Sequence, residues 1–157
     1  MTEATTAKEL LERVDDGWRR FREAVRHVGR AKMDDQTGGG WTYHDLLAHI
    51  AGWQDVTARR MRVYKTEGRF PEYNEGVGGI APFTDVDEFN ARLVSSHRLV
   101  GPEALTDELE TTFRALRSEI AQFTDDQVRA NDSWVISVVG GDTYSHYEEH
   151  AKELGLE

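Results

Sequence analysis

The sequence predicts an all-α protein, an antiparallel four-helix bundle with an extra short helix and a long loop before it. Three observations carry that expectation. Apolar residues recur at intervals of three and four through most of the 157 residues, the spacing that lines one face of an α-helix. Clusters of glycine and proline cut these stripes into pieces of ordinary helical length. No pair of β-branched runs is joined by a hairpin turn, and the one β-branched stretch, 134–139, has no partner to pair with. The length suits one compact domain covering 1–157.

The elements follow in order. Leu10, Leu11, Val14, Trp18, Phe21, Val25 and Val28 form the first stripe, ended by Gly29. Residues 34–40 read as a loop that closes on three glycines. Thr42 is placed to cap the second helix and Asp45, three residues on, to complete a capping box. Trp41 and Leu46 are spaced for a hydrophobic staple. That helix is expected to run to Glu67, since Gly68 and Pro71 stop the pattern. The long loop, 68–84, precedes a short helix with Val86, Phe89, Leu93 and Val94 on its apolar side. A fourth helix opens near Pro102, with Leu105, Leu109, Phe113, Leu116, Ile120 and Phe123 as its stripe. The last helix is expected over about 133–154, weakened at Gly140 and Gly141.

Composition narrows the function. With no cysteine, the chain has no disulfide, no thiolate ligand and no thiol nucleophile of its own. A reducing, cytoplasmic setting is expected. The N-terminus shows neither a basic nor an apolar signal region, no apolar run is long enough to span a bilayer, and membrane is not expected as a partner. The formal net charge of -10 repels phosphate backbones, so no nucleic acid partner is expected either. The triple glycine at 38–40 lacks the lysine and hydroxyl residue of a phosphate-binding loop.

Six histidines fall into two groups. His27, His44 and His97 lie near helix ends and read as structural, with His44 expected at the surface. His146 and His150 are four apart and share a helix face, continuing the stripe of Val135, Val139 and Thr143. His49 lies on the inner stripe of the second helix with Leu46, Trp53 and Val56. Spacing alone leaves two readings of the pair open: a metal site, or a solvated face beside Glu148 and Glu149. The run His146 to His150 also matches the H-x-x-E-H pattern of certain metalloproteases, but those enzymes are larger and need another, distant carboxylate ligand.

Two segments together resemble the DinB superfamily. WTYHDLLAHIAGWQ at 41–54 is similar to the family's second helix, and DTYSHYEEH at 142–150 to the closing helix of its ClbS/DfsB branch. DEFN at 87–90 resembles a mid-chain segment of the same branch. The resemblance implies a four-helix bundle holding one divalent ion, nickel or zinc, on His49, His146 and His150. It also implies action on small electrophilic metabolites, in detoxification or resistance, by ClbS-like hydrolysis or by transfer of an external low-molecular-weight thiol. Asp142, Tyr147 and Glu149 are the candidates for acid, base or supporting roles, and Trp53, Thr143 and Tyr147 for lining a pocket. The alternative is a protein that binds or sequesters a small molecule without turnover, its histidines serving structure only. A homodimer paired through bundle faces is implied as well.

Overall fold

The structure, a computed structural model, describes residues 4–37 and 40–154. Gly38 and Gly39, and with them most of the triple glycine, lie outside the described residues, as do residues 1–3 and 155–157. Six helices follow one another: α1 (Ala7–Val28), α2 (Tyr43–Glu67), α3 (Val86–Ser96), α4 (Pro102–Ile120), α5 (Asp125–Asp142) and α6 (Tyr144–Ala151), with a single 3-10 turn at Arg30–Lys32. Among the described residues there is no strand, only two isolated bridges, Gln36 to Thr42 and Val77 to Ile80.

The local signals act as expected at most ends. Thr6 caps α1, and Gly29 closes it at φ 73°. Thr42 and Asp45 form the full capping box of α2, and Gly68 ends it in the left-handed region. Pro102 opens α4, where its missing N–H is harmless. The stripes then meet in a core around Leu10, Phe21, Leu46, Ile50, Leu105, Leu116 and Val139, each at most 1% exposed. The α2 and α4 helices share the most extensive contact in this helical bundle, and α1 lies against α6, α5 and α4.

Two departures matter for the site. The expected closing helix is broken twice. Residues 125–129 form a short turn of helix, capped by Thr124 and Gln127, before a kink at 130–133. There Asn131, Asp132 and Ser133 stand at φ 53°, 54° and 60°. Asn and Asp enter this left-handed region more readily than other non-glycine residues. The β-branched run 134–139 is helical. The second break falls at Thr143 (φ -120°, ψ -103°) and not at the glycine pair. It frees α6 to turn against α1, and Gly17 permits the approach: a Cβ there would meet Tyr144 Cβ at 2.7 Å and its Cα at 3.0 Å.

The long loop is packed. Val77 and Phe83 join Trp53, Val56, Phe89 and Leu93 in a small second core between α2 and α3. Arginines hold its backbone: Arg59 donates to the Gly78 carbonyl and Arg60 to that of Tyr73. Arg92 donates to Ala81 at 2.9 Å and Pro82 at 3.1 Å.

Candidate metal centre

α2 and α6 bring three imidazoles together. His49 Nε2 lies 2.7 Å from His146 Nε2. The three ring centroids are 4.8 Å (His49 to His146), 5.2 Å (His49 to His150) and 4.6 Å (His146 to His150) apart. One nitrogen from each ring can be chosen so that all three lie within 4.8 Å of one another, and no other such group occurs among the described residues. Nitrogens about 2.0–2.1 Å from a tetrahedral ion are about 3.4 Å from each other, so the donor set fits one ion. All three donors are imidazoles, which suit zinc, nickel and their neighbours.

The electrostatics point the same way. Burial first, then His146 and His150, push His49 down to about 2. Burial and His150 push His146 down to about 4. Both rings are therefore neutral at pH 7, the state in which imidazole ligates. The Nδ1 atoms of His49 and His146 are buried without a hydrogen-bond partner. His150 Nδ1 donates to Glu153 Oε2 at 3.2 Å, the carboxylate-to-histidine arrangement that orients a ligand ring. The i, i+3 spacing of His150 and Glu153 was the available signal for that residue, and the sequence reading did not use it. The indole of Trp41, expected to staple the start of α2, has its centroid 4.7 Å from that of His49.

Beside the triad lies a cavity of about 330 Å³ whose wall includes His49, His146, Trp53, Arg60, Val138 and Asp142. Trp53 faces it, with its Nε1 donating to Asn90 at 2.7 Å. Asp142, the candidate that does reach the cavity, accepts from the Thr57 hydroxyl and lies 3.9 Å from Arg60 Nη1. Burial raises its carboxyl to about 6, against the pull of Thr57 and Arg60. Thr143 and Tyr147 are not in that wall. The Thr143 hydroxyl turns back to the Val139 carbonyl at 2.6 Å. Tyr147 is in the core, stacked on Phe21 and donating to Gln54. The reason is angular: successive helical residues point about 100° apart, so neither Tyr147 nor the exposed Glu149 shares the face of His146 and His150. His44 is also placed differently from expectation, buried with Nε2 donating to the Val100 carbonyl at 2.6 Å. A second cavity, about 350 Å³ between α1 and α4, is lined by residues such as Trp18, Arg22 and Glu110 and by no histidine.

Arg60 was missed. It lies eleven residues after His49 on the stripe of Trp53 and Val56, and a charged residue on an apolar stripe was the signal to follow.

The sequence matches the DinB superfamily over residues 6–151. Among solved structures, the colibactin self-resistance protein ClbS in complex with dsDNA aligns with a TM-score of 0.81 at 12% identity, covering 98% of this chain and 96% of that one. The sibling lethal factor precursor DfsB aligns at 0.79 and 11%, covering 98% and 95%. An uncharacterised protein from Escherichia coli UTI89 aligns at 0.76 and 19%, covering 98% and 92%. No curated protein matches the sequence significantly. The ClbS complex overturns the exclusion of nucleic acid drawn from charge. Net charge is a sum over the whole surface, and the stretch 19–32 carries six basic residues against one acidic. Among the described residues, no helix is long and apolar enough to cross a membrane.

Proposed function

Because the chain belongs to the DinB superfamily, we propose that it holds one divalent ion, zinc or nickel, on His49, His146 and His150 and acts as a metal-dependent enzyme on small electrophilic metabolites. The observation that carries this reading is the convergence of three imidazoles, two of them, His49 and His146, at the wall of a cavity. Three protein ligands leave a coordination position open, and an ion held in this way supplies Lewis acidity that brings water or an external thiol towards ionisation near pH 7.

The chain's own residues do the rest. Glu153 fixes the His150 ring, and Trp41 covers His49. Trp53 provides a flat wall for the substrate. Asp142, with its carboxyl near 6, is suited to take the proton released when the nucleophile forms, since a base works best with a pKa close to the working pH. The cytoplasm, which a cysteine-free chain suits, is the compartment we propose. On the likeness to ClbS, duplex DNA is a ligand to assay as well, and binding through the basic stretch 19–32 is expected to weaken steeply with salt.

Metal analysis of protein purified without a histidine tag tests the centre. About one equivalent of zinc or nickel is expected, with less than a tenth of that in folded His146→Ala. A folded wild type that takes up neither metal sinks the proposal. An epoxide in excess then separates catalysis from sequestration: an enzyme turns over many times, whereas a trap stops at one equivalent.

A further inference from the structure

Arg60 has donors that the fold leaves unused. Its side chain is 4% exposed, yet of its five N–H groups only Nη2 makes a hydrogen bond, to the Tyr73 carbonyl. Nε is buried with no partner. Nη1 faces Asp142 at 3.9 Å, too far for a hydrogen bond. A buried donor without an acceptor costs about 1–3 kcal/mol, and here Nε is in that state, while Nη1 has no acceptor at hydrogen-bond distance beside an open cavity. The guanidinium carbon lies 5.7 Å from the Trp53 ring centroid, and Asn90 anchors the Trp53 indole. The cation is thus fixed in place before any ligand arrives.

We propose that Arg60 is the specificity-determining residue of this cavity and binds a carboxylate group of the substrate, placing the reactive end of the molecule at the three histidines. This rests on the reading of the cavity as the substrate site. A carboxylate matches the planar fork of a guanidinium. A doubly charged phosphate is the poorer match because Asp142 lies beside the same guanidinium. Trp53 favours a flat, unsaturated or aromatic body next to the carboxylate, and the cavity is of a size for a small metabolite, at the low end of the usual range of about 300–1,000 Å³.

Benzoate is the probe, with benzamide as its uncharged counterpart, both titrated by NMR into metal-free full-length protein. Benzoate is expected to bind at least tenfold more tightly than benzamide. Arg60→Met is expected to lower benzoate affinity at least tenfold, and Arg60→Lys, which keeps the charge but loses the fork, by an intermediate factor. Thermal melts establish that each variant is folded; should Arg60→Met fail to fold, Arg60→Lys and the benzamide comparison decide. Because the titrations use metal-free protein, their outcome does not depend on a bound ion, which separates this proposal from the fate of the metal centre. No benzoate binding by wild type, equal binding of benzamide, or undiminished benzoate binding in the folded Arg60 variants overturns it.

Discussion

Two imidazoles and one carboxyl at the site pull stability in opposite directions with pH. His49 and His146 titrate far below the usual 6.5 in the folded, metal-free chain. Below pH 6.5 the unfolded chain therefore takes up protons that the folded chain refuses, and stability falls as the pH falls. Each such group contributes a slope on the order of 1.4 kcal/mol per pH unit until its folded value is approached. Asp142 runs the other way. Its folded value of about 6 lies above 3.8, so its neutral form favours folding below 3.8, and that contribution is lost as the pH rises through 6. Between pH 6 and 4, two histidines against one aspartate leave a net loss of about one group's slope. Urea midpoints of metal-free protein are expected to drop over that interval, and more steeply in Asp142→Asn. A flat profile in both proteins contradicts the burial described for His49 and His146.

Short helix α6 reaches α1 only because residue 17 lacks a side chain, and this is open to a direct test. In an unconstrained helix interior, glycine to alanine gains about 1 kcal/mol. Gly17→Ala is expected instead to cost about 1–3 kcal/mol, because the new methyl meets the Tyr144 backbone, and to weaken metal binding by displacing His146 and His150. Gly141→Ala, with open space around it, is expected to gain up to about 1 kcal/mol by denaturation midpoint. The same pair shows what was legible in sequence. Caps at Thr42, Gly29 and Gly68 act within a few residues, so the ends of α1 and α2 could be read from local types. The meeting of His49, His146 and His150 was legible from two facts of helical spacing plus a family likeness. The kink at 130–133 and the break at Thr143 could not be read, because tertiary packing decides them against helical continuity. Tyr147 was misassigned through neglect of its angular position. Arg60 was overlooked since its partners lie outside its own helix: the Tyr73 carbonyl in the irregular loop that follows α2, and Asp142 at the far end of α5.

At the scale of the whole molecule, a summed charge of -10 does not by itself exclude a nucleic-acid partner, because basic residues gather in one stretch of α1 and the turn after it. Metal loading is also a property of the whole fold, since an ion bound by the native state alone shifts the unfolding equilibrium by mass action. Addition of zinc is expected to raise the melting temperature of wild type and leave His49→Ala where it was. His49 and His146 meet across 97 positions of chain. Contacts so distant in sequence form after the nearer helix pairs have docked, since the closure of a long loop is costly before other contacts support it. In metal-free protein, stopped-flow measurements on wild type and His146→Ala are then expected to give the same refolding rate and a faster unfolding rate in the variant. The imidazole cluster would in that case govern how long the native chain persists, and have no part in how quickly it is reached.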